Sequence, residues 1–272
     1  MNGFGFGDFL AVTLADLAAV VVLMVLTAYL ARRTGRVSVV DTIWGLGFIV
    51  VTVVSILLSN LISDVDAVGD RNSRAWLLFA MVGIWGVRLA AHIAQRSHGG
   101  GEDPRYEELM QRGPGGIVRK VLLPQGVAIW FVSLPVQVAV LAHDGSGTVV
   151  LIGFLLWVLG LGFEAVGDRQ LAAYKADPDR GPVMDRGLWR YTRHPNYFGD
   201  SCVWWGIFVL SASAWPGPLT ILSPVAMTYF LVFATGARLL ERTMMKRPGY
   251  PEYAERTSMF FPLPPKKSPN GS

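Results

Sequence analysis

Apolar runs long enough to cross a bilayer alternate along this chain with short polar stretches, and that alternation sets the order of everything else. Phe9 to Ala31 is the first run, and Arg32, Arg33 and Arg36 follow it at once. The second, Val37 to Ile62, carries Asp41 and Trp44 in its first turns and is closed on the far side by Asp64, Asp66 and Asp70. Ala75 to Ala94 is the third and contains Trp85, Arg88 and His92; the polar loop Gln95 to Lys120 comes next, with one short helix expected from Pro104 to Arg112. Val121 to Leu141 holds Pro124 and Pro135, each of which removes a backbone donor and bends a helix. After a turn at His143 to Gly147, the fifth run, Thr148 to about Phe163, loses apolar character before it loses helical spacing. Glu164, Asp168, Gln170, Tyr174 and Lys175 continue the period, as expected of a helix that projects beyond the bilayer or lines a wet cavity. In LWRYTRHPNYFGDSCVWWG, Leu188 to Gly206, Pro195 forbids helix before it and suits a first helical turn, so the sixth run starts at His194 or Pro195 and ends near Trp215 and Pro216. Leu219 to Leu240 is the seventh. No repeat at a fixed period is visible, and the pattern predicts an all-α polytopic membrane protein of about seven transmembrane helices.

Composition agrees with the pattern: 52% hydrophobic and 16% charged residues, with nine Trp, exclude an ordinary soluble domain. The net charge of +4 does not indicate a nucleic-acid partner, because the basic residues lie between apolar runs and not on one face. Of the 24 Lys and Arg, 21 fall on one side of the expected topology, which puts the N-terminus outside and the C-terminus in the cytoplasm. The partner is therefore the lipid bilayer, with no obligate protein partner expected. Phe9 to Ala31 lacks a basic n-region and a cleavage signal and reads as a retained span. Cys202, the single cysteine, reads as a small packed residue. The whole of 1–272 reads as one transmembrane domain, with 1–142 as a substrate side and 148–265 as a cofactor-binding half.

The candidate chemistry centres on the sixth helix. Asn196 and Asp200 share one face, and the helix N-terminus, with its unpaired N–H groups and positive dipole, stands beside Arg190, Arg193 and His194 as a phosphate cradle. Arginines and aromatics also form a positive-inside anchor, but an anchor needs no amide and carboxylate on the face entering the bilayer. Asp41 is either a helix cap or a site residue. Arg88 and His92 lie four apart on one face, in a site or in an interhelical ion pair with Asp41 or Glu164. Asp16, in the first run, is assigned no role. The glycines of GGGEDPRYEEL lack the Lys-Ser/Thr ending of a phosphate loop. Metal-ligand spacing and a G-x-S-x-G turn are both absent from the sequence, so neither a metal nor a serine nucleophile is expected.

RYTRHPNYFGD, followed about forty residues later by ERTMMKRPGYPEYAERTSMFFP, resembles the C-terminal half of the steroid 5-alpha-reductase-like superfamily of integral membrane proteins. SVVDTIWG, WGVRL, GEDPRY and FEAVGDRQLAAY are similar to a bacterial branch of it, so the resemblance runs from Ser38 to Pro265. It implies a helical bundle in the bacterial inner membrane holding NADPH in a cytoplasm-facing cavity without a Rossmann domain. The reductase residues that contact NADPH fall here at Asn196, Asp200, Asp168, Tyr253 and Arg256. Glu164, Gln170, Arg190, Tyr191, Arg193, His194 and Tyr197 complete the candidate cofactor set. Asp200 stands where the reductases usually carry glutamate. The N-terminal half shows no clear counterpart of the glutamate and tyrosine that polarise a steroid ketone. Asp41, Arg88, His92 and Tyr197 are the candidate catalytic groups for reducing a carbon–carbon double bond in a lipophilic substrate, which needs a hydride donor, a proton donor and hydrogen bonds to the developing negative charge. Isoprenylcysteine-type methyltransferases share the C-terminal fold, so an S-adenosylmethionine-dependent lipid methyltransferase is the alternative, and a non-enzymatic lipid-binding protein is a third. Asn196 and the Gly199–Asp200 pair favour the reductase.

Overall fold

The computed structural model describes residues 4–62, 68–97, 102, 106, 114–143, 145–234 and 236–266. Asp64, Asp66 and all of the expected Pro104 to Arg112 helix except Tyr106 lie outside them. The described chain is all-α: α1 (Phe6–Thr34), α2 (Val39–Ile62), α3 (Val68–Ser97), α4 (Gly115–Ala139), α5 (Gly147–Ala176), α6 (Pro195–Ser211), α7 (Gly217–Met244) and α8 (Tyr250–Arg256). Six of them, all but α6 and α8, are long and apolar enough to cross a membrane, as in an integral membrane protein.

Each of the seven expected runs is a helix, with adjusted ends. α3 begins at Val68, so Asp70 lies in its first turn and not in a loop before it. α6 starts at Pro195 as its sequence requires, but it ends at Ser211, short of Trp215. α5 continues unbroken past Glu164 to Ala176, where the period of polar residues carried it. α4 is irregular near both prolines: a π turn at Val118–Leu122 precedes Pro124, and the helix breaks at Ser133, two residues before Pro135.

Two compact units are present, 1–150 with 207–223 and 151–206 with 224–272. The sequence division into 1–142 and 148–265 follows chain order, whereas α6 runs out of the second unit into the first. In the first unit α1 and α3 pack on α2, and α4 packs on α1 and α2. α2 and α3 cross where both lack a side chain: a Cβ on Gly45 would lie 2.6 Å from the carbonyl oxygen of Gly86, and one on Gly86 equally close to that of Gly45. Phe48 and Trp85, ring centroids 5.5 Å apart, fill the core beside that crossing.

In the second unit α5 and α6 meet along a glycine seam. A Cβ on Gly160 would lie 2.6 Å from the Gly199 carbonyl, and one on Gly206 would lie 2.6 Å from the Gly153 carbonyl. Gly167 meets Pro195 and the amide of Asn196. These glycines recur at seven-residue steps on each helix, so one stripe on each faces the other and the backbones touch. That contact sets the level of α6 against α5, and with it the position of the polar first turn of α6.

Candidate functional site

In the second unit the segment before α6 and the first turn of α6 are lashed to α5 by three bonds. The Leu188 amide donates to Gln170 Oε1 at 3.0 Å, the Trp189 indole N–H to the Gly167 carbonyl at 3.0 Å, and Asn196 Nδ2 to Asp168 Oδ1 at 3.2 Å. Asn196, Asp168 and Asp200, three residues expected around a nucleotide, thus lie on the facing sides of α5 and α6; Asp168 and Asp200 are buried, as is Glu164 one turn earlier on α5. His194, also buried, stacks on Tyr197 with ring planes 9° apart and centroids 5.5 Å apart.

Arg193 is held by the chain's own tail. Its Nε and one Nη donate to the two oxygens of Glu241, each at 2.7 Å, and its other Nη donates to the carbonyls of Ala254 and Thr257 at 2.6 and 2.8 Å. Such a planar fork is the strong form of an ion pair. His194 Nε2 lies 3.1 Å from Glu241 Oε1, and the Tyr250 hydroxyl donates to the same oxygen at 2.9 Å. Tyr253 donates to the Trp189 carbonyl, Thr192 Oγ1 to the Phe260 carbonyl at 2.8 Å, and the Arg193 amide to the Ser258 carbonyl at 2.9 Å. Burial, reinforced by the Glu241 carboxylate, pushes the Tyr250 phenol well above its ordinary range; burial, with Tyr250 next to it, does the same to Tyr253. The tail therefore folds against the Arg-Tyr-Thr-Arg-His segment, with Tyr253, expected at the nucleotide, bonded to backbone.

Not all of the expected set gathers in one place. A cavity of about 560 Å³ is lined by Gln170, Tyr174, Arg180, Asp185, Gly187 and Arg256 among others. Gln170 and Tyr174 lie about 200° and 240° round α5 from Asp168, so this cavity opens on the opposite face from the Asn196–Asp168 pair. Arg256 bonds Asp185 there at 2.5 Å. Arg190 and Tyr191 are exposed, and the Arg190 guanidinium makes no hydrogen bond with the described residues.

Asp41, Arg88 and His92 belong to the first unit. Asp41 lies one turn before Gly45 on α2, on the side of the glycine crossing, whereas Arg88, two residues past Gly86 on α3, lies about 200° round that helix from it. The structure adds a partner that the sequence reading missed: the buried Tyr106 hydroxyl donates to Asp41 Oδ1 at 2.7 Å. Glu102, four residues earlier, accepts the amides of Val37 and Ser38 and caps the turn entering α2. Glu102 and Tyr106 thus both bond the start of α2 and the turn that leads into it. Glu241 was also missed, although it is the one acid between Ala237 and Pro251, among four basic residues. Among the described residues no cluster of His, Cys and carboxylates could hold a metal.

A family model described as "Protein of unknown function (DUF1295)" matches residues 28–257. No curated protein and no solved structure matches the chain.

Proposed function

We propose, from the premise that the chain belongs to the DUF1295 family, that it is an NADPH-dependent membrane reductase of the steroid 5-alpha-reductase-like kind, acting on a carbon–carbon double bond conjugated to a carbonyl in a lipophilic substrate. The Tyr106–Asp41 bond carries this reading. Reduction of a conjugated double bond places negative charge on the carbonyl oxygen, and a buried phenol whose one hydrogen a carboxylate accepts can turn that hydrogen to such an oxygen when a substrate brings it. Methyl transfer to a lipid needs no such donor.

The donor set of the second unit fits a nicotinamide nucleotide. Asn196 offers an amide, Asp168 and Asp200 offer carboxylates that accept ribose hydroxyls, and Arg190 offers a guanidinium with no hydrogen-bonding partner among the described residues for a phosphate. NADPH, when bound, supplies the hydride to the carbon β to the carbonyl. Asn196 and the two acids orient the nucleotide. Tyr106, whose one hydrogen Asp41 accepts, would turn that hydrogen to a substrate oxygen as charge grows there, and the proton that completes the addition at the α-carbon would come from water. Arg193 acts through the tail and not on the ligand, since Glu241 and two carbonyls already engage its guanidinium.

Titrating the purified protein with NADPH and, separately, with S-adenosylmethionine tests the reading. Saturable NADPH binding is expected, and Asn196→Ala should weaken it about tenfold or more, a loss of roughly 1.5–3 kcal/mol. Binding of S-adenosylmethionine instead, or of neither, overturns the proposal.

A further inference from the structure

From Gly217 to Ala237 the last long helix, α7, runs 21 residues without a charged side chain, enough to span hydrocarbon, so Arg238 falls where the headgroups begin. The helix also changes there. A π turn at Phe230–Ala234 and the non-helical backbone of Gly236 set off a final segment, Ala237–Met244. Its inner side is committed to the protein: Ala237 is fully buried, and Glu241, about 40° round the helix from it, gives both oxygens to Arg193. The outer side is different. Arg238 and Arg242 lie one turn apart on one edge, with Leu239, Leu240 and Met245 exposed beside them and the exposed Lys246 and Arg247 just beyond. The side chains of these four cations make no hydrogen bond or ion pair with the described residues, and Glu241, the one acid between Ala237 and Pro251, is already engaged. Arg238 is nevertheless held in place. Its guanidinium carbon stands 4.4 Å from the centre of the Phe233 ring, Phe233 stacks on Tyr229 with centroids 5.4 Å apart, and both rings are exposed on the outside of the span.

Four cations without a counter-charge, beside exposed leucines and an exposed aromatic column, complement a ligand that is anionic at one end and apolar at the other. A dissolved anion matches the charge alone. A choline headgroup brings a cation of its own and cancels the attraction. With one face of the Arg238 guanidinium on the Phe233 ring, its N–H edge is left to donate to two phosphate oxygens, and Arg242 stands one turn along to do the same. We infer that the end of α7 is a binding site for an anionic phospholipid, with its phosphodiester on Arg238 and Arg242 and an acyl chain along Phe233 and Tyr229. Glu241 lies on the inner side of the same two turns, so a lipid on the outer side steadies the segment that holds Arg193.

The site rests on no part of the reductase reading and is tested without any turnover assay. The full chain, in a neutral detergent at fixed ionic strength, is unfolded thermally while phosphatidylglycerol replaces phosphatidylcholine at constant total lipid. The midpoint should rise and saturate with phosphatidylglycerol. Arg238→Gln combined with Arg242→Gln, both at exposed positions, should leave the midpoint in phosphatidylcholine alone unchanged. The pair should raise the half-saturating phosphatidylglycerol concentration about tenfold or more, since each basic residue adds about fivefold at an anionic surface. Arg32→Gln combined with Arg33→Gln is the comparison. That pair is also exposed at a helix end, but Arg33 already donates to the Tyr29 hydroxyl at 2.8 Å, so the half-saturating concentration should move by no more than about twofold. Should the Arg238 and Arg242 variant fail to fold, mass-spectrometric counting of the phosphatidylglycerol that the unmodified protein retains from an equal mixture with phosphatidylcholine carries the test. Equal midpoints in the two lipids, a phosphatidylglycerol response untouched by the Arg238 and Arg242 changes, an equal shift from the Arg32 and Arg33 changes, the same rise with sodium phosphate in place of the lipid, or no preferential retention overturns the site.

Discussion

At the scale of single residues, Glu241 connects more of the second unit than any residue the motif itself advertises. It accepts from both edges of the Arg193 fork, from Tyr250, and lies within hydrogen-bond reach of His194. Replacing it with glutamine leaves the Arg193 guanidinium, only 11% exposed, without its countercharge, and breaking such a pair from one side costs about 3 kcal/mol or more. Glu241→Gln should therefore lower the unfolding midpoint in detergent sharply; a change no larger than that of an exposed Glu→Gln control would show that the pair contributes little. Tyr250 adds a pH dependence. Its phenol, raised by burial and then by Glu241, stays protonated in the folded protein at a pH where the unfolded phenol ionises, near pH 10 by the ordinary value of about 10 for tyrosine. Above that pH the folded state binds more protons than the unfolded state, so stability falls as pH rises. Thermal midpoints should be level up to about pH 9 and decline beyond pH 10, and Tyr250→Phe should make the decline shallower. The basic motif was visible in the sequence because arginine and histidine before a proline stand out. Glu241 was not, because its role depends on a chain reversal that returns the tail across forty-eight residues to Arg193.

At the scale of elements, the apolar runs were legible because hydropathy over about twenty residues decides whether a helix belongs in lipid. The pairing of helices was not read, since lipid-facing and helix-facing surfaces are both apolar and the discriminating signal is residue size. Gly153, Gly160 and Gly167 on α5 and Gly199 and Gly206 on α6 form that signal at a seven-residue step, hidden among the chain's 30 glycines. Gly162, two residues along from Gly160, faces open space. The two positions should respond in opposite ways. Gly160→Val drives its Cβ into the Gly199 carbonyl and the Val203 amide, backbone atoms that cannot rotate away, and should destabilise by about 1–3 kcal/mol as overpacking does. Gly162→Ala meets nothing within 4 Å and should be neutral or stabilising by up to about 1 kcal/mol, the difference in helix propensity. Equal midpoints for the two variants would mean that the seam does not hold α5 to α6. Because Asn196 and Asp168 stand at the end of this seam, Gly160→Val should also weaken NADPH binding beyond what its loss of stability accounts for.

At the scale of the whole molecule, the number of membrane crossings turns on α6. Its 17 residues rise about 26 Å, short of the roughly 30 Å of hydrocarbon that the other runs exceed. If α6 crosses, the chain makes seven passages and its termini lie on opposite sides; if it does not, six passages put both termini on the same side. The basic residues favour seven, which the labelling below tests. Seven of the 24 Lys and Arg lie from Arg238 onward, and a six-span topology would put them opposite the nine from Arg96 to Arg186, against the bias that orients membrane proteins. Seven spans keep 21 on one side. A short helix crosses when its flanks allow the bilayer to thin, and the turn after α6 carries Trp215, a residue suited to the interface. Reporters fused after Phe4 and inserted after Ala212 should therefore label as non-cytoplasmic, and one fused after Ser272 as cytoplasmic. Matching labels at Phe4 and Ser272 would remove α6 from the membrane, and cytoplasmic labelling at Ala212 would do so on its own. Either result would also put the first turn of α6, with Asn196 and Asp200, on a surface, where a nucleotide would meet water and not a helix-lined cavity.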